Sequence, residues 1–353
     1  MKKFFSLVII LLSLFLALPA SAAAPDLPKK HAFYDEMTYL MEKGAVSGYS
    51  DGTVRPDVEV TRAQAAVMIG RLKGFEGAKQ TTPFKDVPSG HYASGYIAEA
   101  AEAGYLKGYG DGTFRPNAPI IRGDMALIVE RVFDLAFTFN SSFKDVGPNA
   151  VYFEAISKIL AANITVGYPD NTFRPRQAVT RGQFSAFLAR ALEPKFKNDA
   201  VIPDSYLKDK TKTYTYQMSD GTTAVHRYQN VPNRDGLVYG FMWTAQVDGD
   251  SYEYLELENY SIFAYGYPYS EYDIALAYPV RVGKTFDTGL GDEIIKNTIT
   301  GVNKTVTTPY KTFTNATEVM TQSGLKYYMV EGYATVKSVN AQGRVEMELV
   351  NVR

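Results

Sequence analysis

The chain has no cysteine among its 353 residues. That excludes disulfides, thiolate metal sites and a lipid-modified N-terminal cysteine, and leaves packing alone to stabilise the fold. Histidine is nearly as scarce: His31, His91 and His226 lie far apart and form no His-Glu-x-x-His pair or other short metal motif. Net charge is only −1, so no global field draws in nucleic acid. After the first 18 residues no apolar run is long enough to span a membrane. There is no Gly-x-Ser-x-Gly elbow, no P-loop and no cysteine nucleophile. No catalytic set, metal or cofactor is therefore expected, although abundant Asp, Glu and Ser leave a dispersed site open. At this length two or more cores are affordable.

What is present starts with an export signal. Lys2 and Lys3 precede an apolar run from Phe4 to Leu18, broken only by Ser6 and Ser13, and Pro19 and Ala20-Ser21-Ala22 follow. That order predicts a cleaved signal peptide over residues 1–24, hence a secreted chain with no membrane contact after cleavage. A run of about 15 residues falls short of the roughly 20 that a spanning helix needs.

The strongest signal is internal repetition. One copy reads FKDVPSGHYASGYIAEAAEAGYLKGYGDGTFRP from Phe84, then NAPIIRGDMALIVERVF; another reads FKDVGPNAVYFEAISKILAANITVGYPDNTFRP from Phe143, then RQAVTRGQFSAFLARAL. A third begins near the expected cleavage point and ends in DVEVTRAQAAVMIGRL. Asp51, Asp111 and Asp170 are 60 and 59 residues apart, as are Arg62, Arg122 and Arg181, and as are Asp26, Asp86 and Asp145. The copies occupy residues 25–74, 84–133 and 143–192.

Each copy predicts two helices around a turn. Tyr92 to Ala103 has helical periodicity and Gly104 a C-terminal stop. Asp111-Gly112 allows positive φ, and Asn171 stands for that glycine in the last copy. Thr61 and Thr180 are N-cap candidates, with Gln64 and Gln183 three residues on, which is a capping box. Arg62, Arg122 and Arg181 then sit at a helix N-terminus, where N–H groups, the dipole and a guanidinium make a carboxylate site. Alternatively each arginine pairs with a nearby Asp such as Asp86 or Asp145; the threefold repetition favours ligand binding, with the Asp orienting the Arg. Gly48, Gly108 and Gly167 open the turns beside Tyr49, Tyr109 and Tyr168, which either face a ligand groove or pack beside the turn. The turns lack the alternating oxygens and terminal Glu of a calcium loop.

These residues resemble the S-layer homology family, whose pattern is Phe-x-Asp-Val, a helix, Gly-Tyr-x-Asp-Gly-Thr-Phe-x-Pro, then Thr-Arg-Ala-Glu leading a second helix. The likeness covers about residues 25 to 193. It implies a pseudo-threefold module that binds secondary cell-wall polysaccharide, often pyruvylated, whose ketal carries a carboxylate. The glycan-binding residues it implies are Arg62, Arg122 and Arg181, with Asp26, Asp86, Asp145, Thr61, Thr180, Gly48, Gly108 and Gly167. The copies depart from the pattern in places. The acidic position is Gln64, Asp124 and Gln183, Ile121 replaces a capping Thr, Ala150-Val151 replaces His91-Tyr92, and the first copy lacks the opening aromatic.

Composition shifts after Leu192. EPKFKNDAVIP reads as a linker over residues 193–204, and 17 of the 26 tyrosines lie between Tyr206 and Tyr333, favouring strands over residues 205–353. Strands are expected at Thr213 to Met218, Leu237 to Val247, Ser251 to Leu257, Thr298 to Thr307, Lys311 to Gln322, Lys326 to Ser338 and Arg344 to Val352, giving seven to nine in a curved or closed antiparallel sheet. The tail from Tyr278, through Tyr278-Pro279, Val282-Gly283-Lys284, Thr305 to Phe313 and Tyr327 to Lys337, resembles a β-domain of exported bacterial proteins. That resemblance implies a fold but no activity. His226 reads as an exposed strand residue, and the acid-rich run from Tyr252 to Glu258 as a solvated strand face. The aromatic run from Phe263 to Tyr272 is either a sugar-stacking or partner surface or a sheet edge.

The expected fold class is multidomain α+β: a pseudo-threefold, mainly helical repeat module, then an antiparallel β-sheet or barrel-like domain. The expected function is anchoring to the bacterial cell wall through pyruvylated polymer, with a protein or glycan ligand for the β-domain. A wall-anchored enzyme acting on polysaccharide is the alternative, and a lattice-forming S-layer subunit a third reading.

Overall fold

The computed structural model describes residues 24–138, 143–199, 201–229, 240–267, 272–288 and 294–353. The expected signal peptide lies outside these residues except for Ala24, as do Tyr269 and the first three residues of the strand expected from Leu237.

Each repeat supplies two helices. The shorter come first, α1 (Tyr34–Glu42), α3 (Ser94–Glu102) and α5 (Phe153–Ala161), and the longer follow, α2 (Arg62–Leu72), α4 (Arg122–Phe133) and α6 (Arg181–Leu192). The capping boxes form: the Thr61 hydroxyl accepts from the Gln64 N–H while Gln64 accepts from the Thr61 N–H, and Thr180 and Gln183 repeat the pattern. Ile121 gives α4 no such bond, a loss on the scale of 1 kcal/mol. Helices of 9 and 11 residues leave most of a repeat to tight turns, so the module is not mainly helical; among the described residues helix is 22% and strand 30%. The turns consume residues because side chains, rather than a helical ladder, satisfy their backbone groups.

The copies close on one another. The Val60 N–H bonds to the Val179 carbonyl at 3.0 Å, Ile120 to Val60 at 2.9 Å, and Val179 to Ile120 at 2.9 Å. This ring of three fully buried β-branched residues is the pseudo-threefold axis, and one hydrophobic core runs through all three repeats around it. The expected linker begins as a 3-10 helix, Pro194–Asp199, whose Phe196 ring packs 5.0 Å from Tyr39, so its first half belongs to the repeat core.

The rest is a sheet of twelve strands: β1 (Thr213–Met218), β2 (Thr223–Tyr228), β3 (Phe241–Val247), β4 (Asp250–Glu258), β5 (Ile262–Gly266), β6 (Tyr272–Ala277), β7 (Thr285–Thr288), β8 (Ile295–Thr307), β9 (Thr312–Thr321), β10 (Lys326–Val330), β11 (Ala334–Val339) and β12 (Val345–Val352). Consecutive strands pair antiparallel except β6 with β7, and β1 pairs with β12, so the order runs β6 back to β1, then β12 back to β7. Backbone pairing is missing only between β6 and β7, which the Thr288 hydroxyl bridges by donating to Asp273. The result is a nearly closed up-and-down barrel, which leaves almost no edge to aggregate.

The strand number exceeds the expectation because β2, β5, β6 and β7 fall outside the expected strands and because one expected strand is divided. The strand expected over Lys326 to Ser338 is cut into β10 and β11 by a turn at Glu331-Gly332-Tyr333, where Gly332 takes φ +74°. The Asp248-Gly249 hairpin has both central residues at positive φ, the backbone a two-residue turn requires.

After the 3-10 helix the chain threads into the barrel. Tyr206, Leu207 and Lys208 are buried, and the Ser205 and Tyr206 carbonyls accept from Gly332 and Ala334 at 2.8 and 2.9 Å. Tyr206 joins Phe241, Phe263, Val319 and Met329 in an interior cluster, so the segment entering from the repeat module fills one end of the barrel.

Candidate functional site

The junctions between repeats are where the candidate residues meet. Asp26, Asp86 and Asp145 do not reach Arg62, Arg122 or Arg181. Each carboxylate instead clasps the turn of its own repeat, accepting from the N–H groups of Val54 and Arg55, Phe114 and Arg115, or Phe173 and Arg174 at 2.7–3.2 Å. These bonds hold Asp86 below its ordinary range against the opposing effect of burial, the largest influence on it.

Arg62, Arg122 and Arg181 are buried and reach across to the next repeat. Arg62 donates through Nε to the Phe114 carbonyl and through Nη2 to the Lys107 carbonyl, both at 2.7 Å. Arg122 donates to the Phe173 carbonyl at 2.8 Å, and Arg181 to those of Val54 and Ser47 at 2.9 and 3.1 Å, so the contacts run round the ring and return to the first copy. Burial pushes the guanidinium pKa of Arg122 and Arg181 down.

The expected carboxylate site at the helix N-terminus does not form. The N–H groups of Arg62 and Ala63 are taken by the Ala118 and Pro116 carbonyls at 2.9 Å, those of Arg122 and Gly123 by Gln177 and Pro175, and those of Arg181 and Gly182 by Val58 and Pro56. Thr61 and Thr180 spend their hydroxyls on the caps. Gly108 and Gly167 make room for packing: a Cβ on either would lie 2.3 Å from the ring of Phe84 or Phe143. At Gly48, whose repeat lacks that opening aromatic, the nearest atom would be 3.1 Å away.

A second set of arginines completes each junction. Arg55, Arg115 and Arg174 end the turns at φ between +52° and +60°, half exposed, each ion-paired to Asp51, Asp111 or Asp170 at 3.0–3.2 Å. Hydrogen bonds from Thr53, Thr113 and Thr172, then from these arginines, hold the three aspartates below the usual carboxylate range. Each arginine stacks on its own turn tyrosine, 3.8–3.9 Å from the rings of Tyr49, Tyr109 and Tyr168. The buried arginine of the preceding repeat approaches the same ring at 4.9–5.2 Å. One tyrosine flanked by two guanidiniums therefore recurs three times. The sequence signal for the second set was an arginine kept directly before a fixed proline in all three copies, Arg55-Pro56, Arg115-Pro116 and Arg174-Pro175.

The junctions differ in charge. Arg62 Nη1 lies 3.6 Å from Asp124, the acidic residue at the third position of α4. The matching positions in the other junctions are the neutral Gln183 and Gln64, and Gln64 donates to the Tyr49 hydroxyl at 3.0 Å.

The profile of the S-layer homology domain matches residues 25–66, 83–126 and 142–185. The chain carries three S-layer homology domains. Over 175 residues it is 36% identical to cell surface glycoprotein 1 of Acetivibrio thermocellus, covering 44% of this chain and 8% of that protein. An S-layer protein of Bacillus thuringiensis subsp. finitimus is 32% identical over 179 residues, 49% of this chain and 22% of its own length. A cellulosome-anchoring protein of Acetivibrio thermocellus is 30% identical over 167 residues, 44% of this chain and 37% of its own. The chain thus spans well under half of these relatives. Among solved structures, an exported protein of Bacteroides fragilis with a YmcC-like fold overlays 42% of this chain at 11% identity and a TM-score of 0.27, too distant a likeness to assign a fold. The S-layer homology domains and these relatives mark a cell-surface, cell-wall protein, and among the described residues no helix is long and apolar enough to cross a membrane.

Beyond the S-layer homology domains, the barrel interior holds charge that the sequence pattern misplaced. Glu256 and Glu258 face inward and are buried, not solvated. Lys208, from the threaded segment, pairs with Glu256 at 2.7 Å and donates to the Tyr254 hydroxyl at 2.7 Å. His226 is buried, not exposed, with Nδ1 2.7 Å from that same hydroxyl. Burial, then the Lys208 charge, pushes His226 down to about 3, and burial lowers Lys208 as well. Burial lifts Glu258 to about 7, partly offset by donation from Ser205, Tyr278 and the Tyr206 N–H.

These two shifts make opposite contributions to stability with pH. Glu258, raised in the folded state, contributes stability that is complete below about pH 4.5 and lost as pH rises through 7. His226, depressed, contributes stability present above 6.5 and lost as pH falls toward 3. Between about 4.5 and 6.5 they offset each other. Glu258→Gln should therefore extend the rise in stability with pH up to about 6.5, making the barrel gain on the order of 3 kcal/mol relative to the parent between pH 4.5 and 7. Urea unfolding followed by Trp243 fluorescence at a series of pH values checks this; parallel curves for both proteins would refute it.

Proposed function

We propose that the three S-layer homology domains anchor the chain to the bacterial cell wall by gripping anionic, pyruvylated secondary polysaccharide at the junctions between repeats. The observation that carries this reading is the tyrosine flanked by two arginines at each junction. An exposed guanidinium offers paired donors to a carboxylate, and the ring beside it offers a face to the sugar that bears it. The names of the relatives, one of them a cellulosome-anchoring protein, support wall attachment. The barrel is then what the anchor displays.

The junctions are unequal partners for an anion. Asp124 neutralises Arg62, so the junctions of Arg122 and Arg181 are the stronger sites. Asp124→Asn should tighten retention on sacculi about fivefold, the scale of one partly exposed charge pair, and Gln183→Glu should weaken it by as much. Equal retention by both variants would reject the ranking.

The reading as a whole is tested by pull-down of the mature chain on purified sacculi, before and after removal of the non-peptidoglycan polymer, beside Arg55, Arg115 and Arg174 changed together to Ala. Retention that depends on both the polymer and the arginines is expected; retention that survives both losses would reduce the repeats to scaffold. The enzymatic alternative has less behind it. Of the carboxylates near the barrel cavity, Glu256 is bound to Lys208 and Asp273 accepts from Thr288, an arrangement unlike a free acid–base pair.

A further inference from the structure

We infer that the unplugged end of the barrel is a binding site for a neutral sugar ring, such as the terminal pyranose of a glycan. A cavity of about 280 Å³ opens there, at the small end of the roughly 300–1,000 Å³ of ligand pockets, and suits one ring rather than a long chain. Its walls are tyrosines: Tyr216 of β1, Tyr252 and Tyr254 of β4, Tyr265 of β5 and Tyr267 just beyond it. Tyr252 and Tyr267 stand 45% and 44% exposed at the rim, whereas Tyr216 and Tyr254 are buried. Two large rings left wet at the mouth of a cavity offer flat faces for the C–H side of a pyranose.

The polar groups select against charge. Lys208 reaches the floor, but its ammonium is spent on Glu256 and the Tyr254 hydroxyl. Burial, then the Lys208 charge, keeps His226 uncharged at neutral pH. Asp273 adds a single carboxylate, and Thr335 and Ser338 add hydroxyls. The site therefore presents hydroxyl donors and acceptors around aromatic faces without an uncompensated cation for an acid. A purely apolar ligand would leave these groups unsatisfied, at a cost on the order of 1–3 kcal/mol each. A sugar, with a hydroxyl on most ring carbons and an apolar face, satisfies both kinds of wall. The site lies in the barrel, away from the S-layer homology junctions, and does not depend on their role.

The test is saturation-transfer NMR on the full mature chain with methyl glucoside, methyl galactoside, methyl mannoside and methyl N-acetylglucosaminide, and with tetramethylammonium as a cationic probe. Transfer to the ring C–H protons of at least one pyranoside is expected. It should fall about tenfold in Tyr252→Ala and Tyr267→Ala, the scale of one lost ring contact, and survive in Tyr267→Phe, which keeps the ring. Unchanged Trp243 fluorescence would certify the fold of each variant. No transfer to any pyranoside, transfer unaffected by both alanine variants, or transfer to tetramethylammonium alone would each overturn the inference.

Discussion

Replacing Arg181 with alanine should cost the S-layer homology module about 3 kcal/mol and lower its melting temperature by roughly 6–12 °C. Arg181 is a clamp before it is anything else. Its guanidinium donates to the carbonyls of Val54 and Ser47, residues 127 and 134 positions away, and so ties the last repeat to the first. Truncation strands those carbonyls, and hydrogen bonds to a charged group are worth about 1.5–3 kcal/mol each. Removing a buried charge returns some desolvation energy, which keeps the net below the sum. Arg55→Ala provides the contrast. Its guanidinium touches the same tyrosine ring but is half exposed, bonded to Asp51 and Thr53 of its own turn, so the stability loss should stay below about 1 kcal/mol. Differential scanning calorimetry beside sacculus pull-down separates the two. Full retention of stability in Arg181→Ala, with wall binding gone, would make it a ligand group and refute the clamp.

The same contrast explains what the sequence disclosed. The 60- and 59-residue spacing, the two capping boxes and the strand Thr213–Met218 were all legible because each depends on residues within a few positions or on one period. The helix N-termini misled because their N–H groups are satisfied by carbonyls from the next repeat, more than 50 residues away, which no local pattern encodes. Arg55, Arg115 and Arg174 carry no local sign of a role other than their recurrence before a proline, because their ring stacking arises only once the turn brings each back over its tyrosine. In the barrel, the acid-rich run from Tyr252 to Glu258 is buried from Tyr254 onward, and burying its carboxylates requires a counter-charge. Lys208 supplies it from a segment that resembles the end of a linker, so the acidic face read as solvated.

Lys208→Met should therefore cost the barrel about 4 kcal/mol, the loss expected when one partner of a buried pair is removed. Glu256 is 1% exposed and Lys208 4%, so the carboxylate left behind has no access to solvent and must protonate or drag water into a packed interior. The variant also removes the donor to Tyr254 and a cation 4.9 Å from the Trp243 ring. Lys208→Met combined with Glu256→Leu should recover most of the loss, because an apolar pair of similar volume avoids both desolvation costs. The measurement is selective: Trp243 is the only tryptophan, so its fluorescence during urea unfolding reports the barrel and not the repeats. A double variant as unstable as the single would mean that the ion pair and its hydrogen bonds to the Lys208 N–H and the Tyr254 hydroxyl are themselves what lock the threaded segment in place. Recovery would assign the single variant's loss to the stranded Glu256 charge, with the threaded segment held by its backbone bonds to Gly332 and Ala334 and by Tyr206 packing.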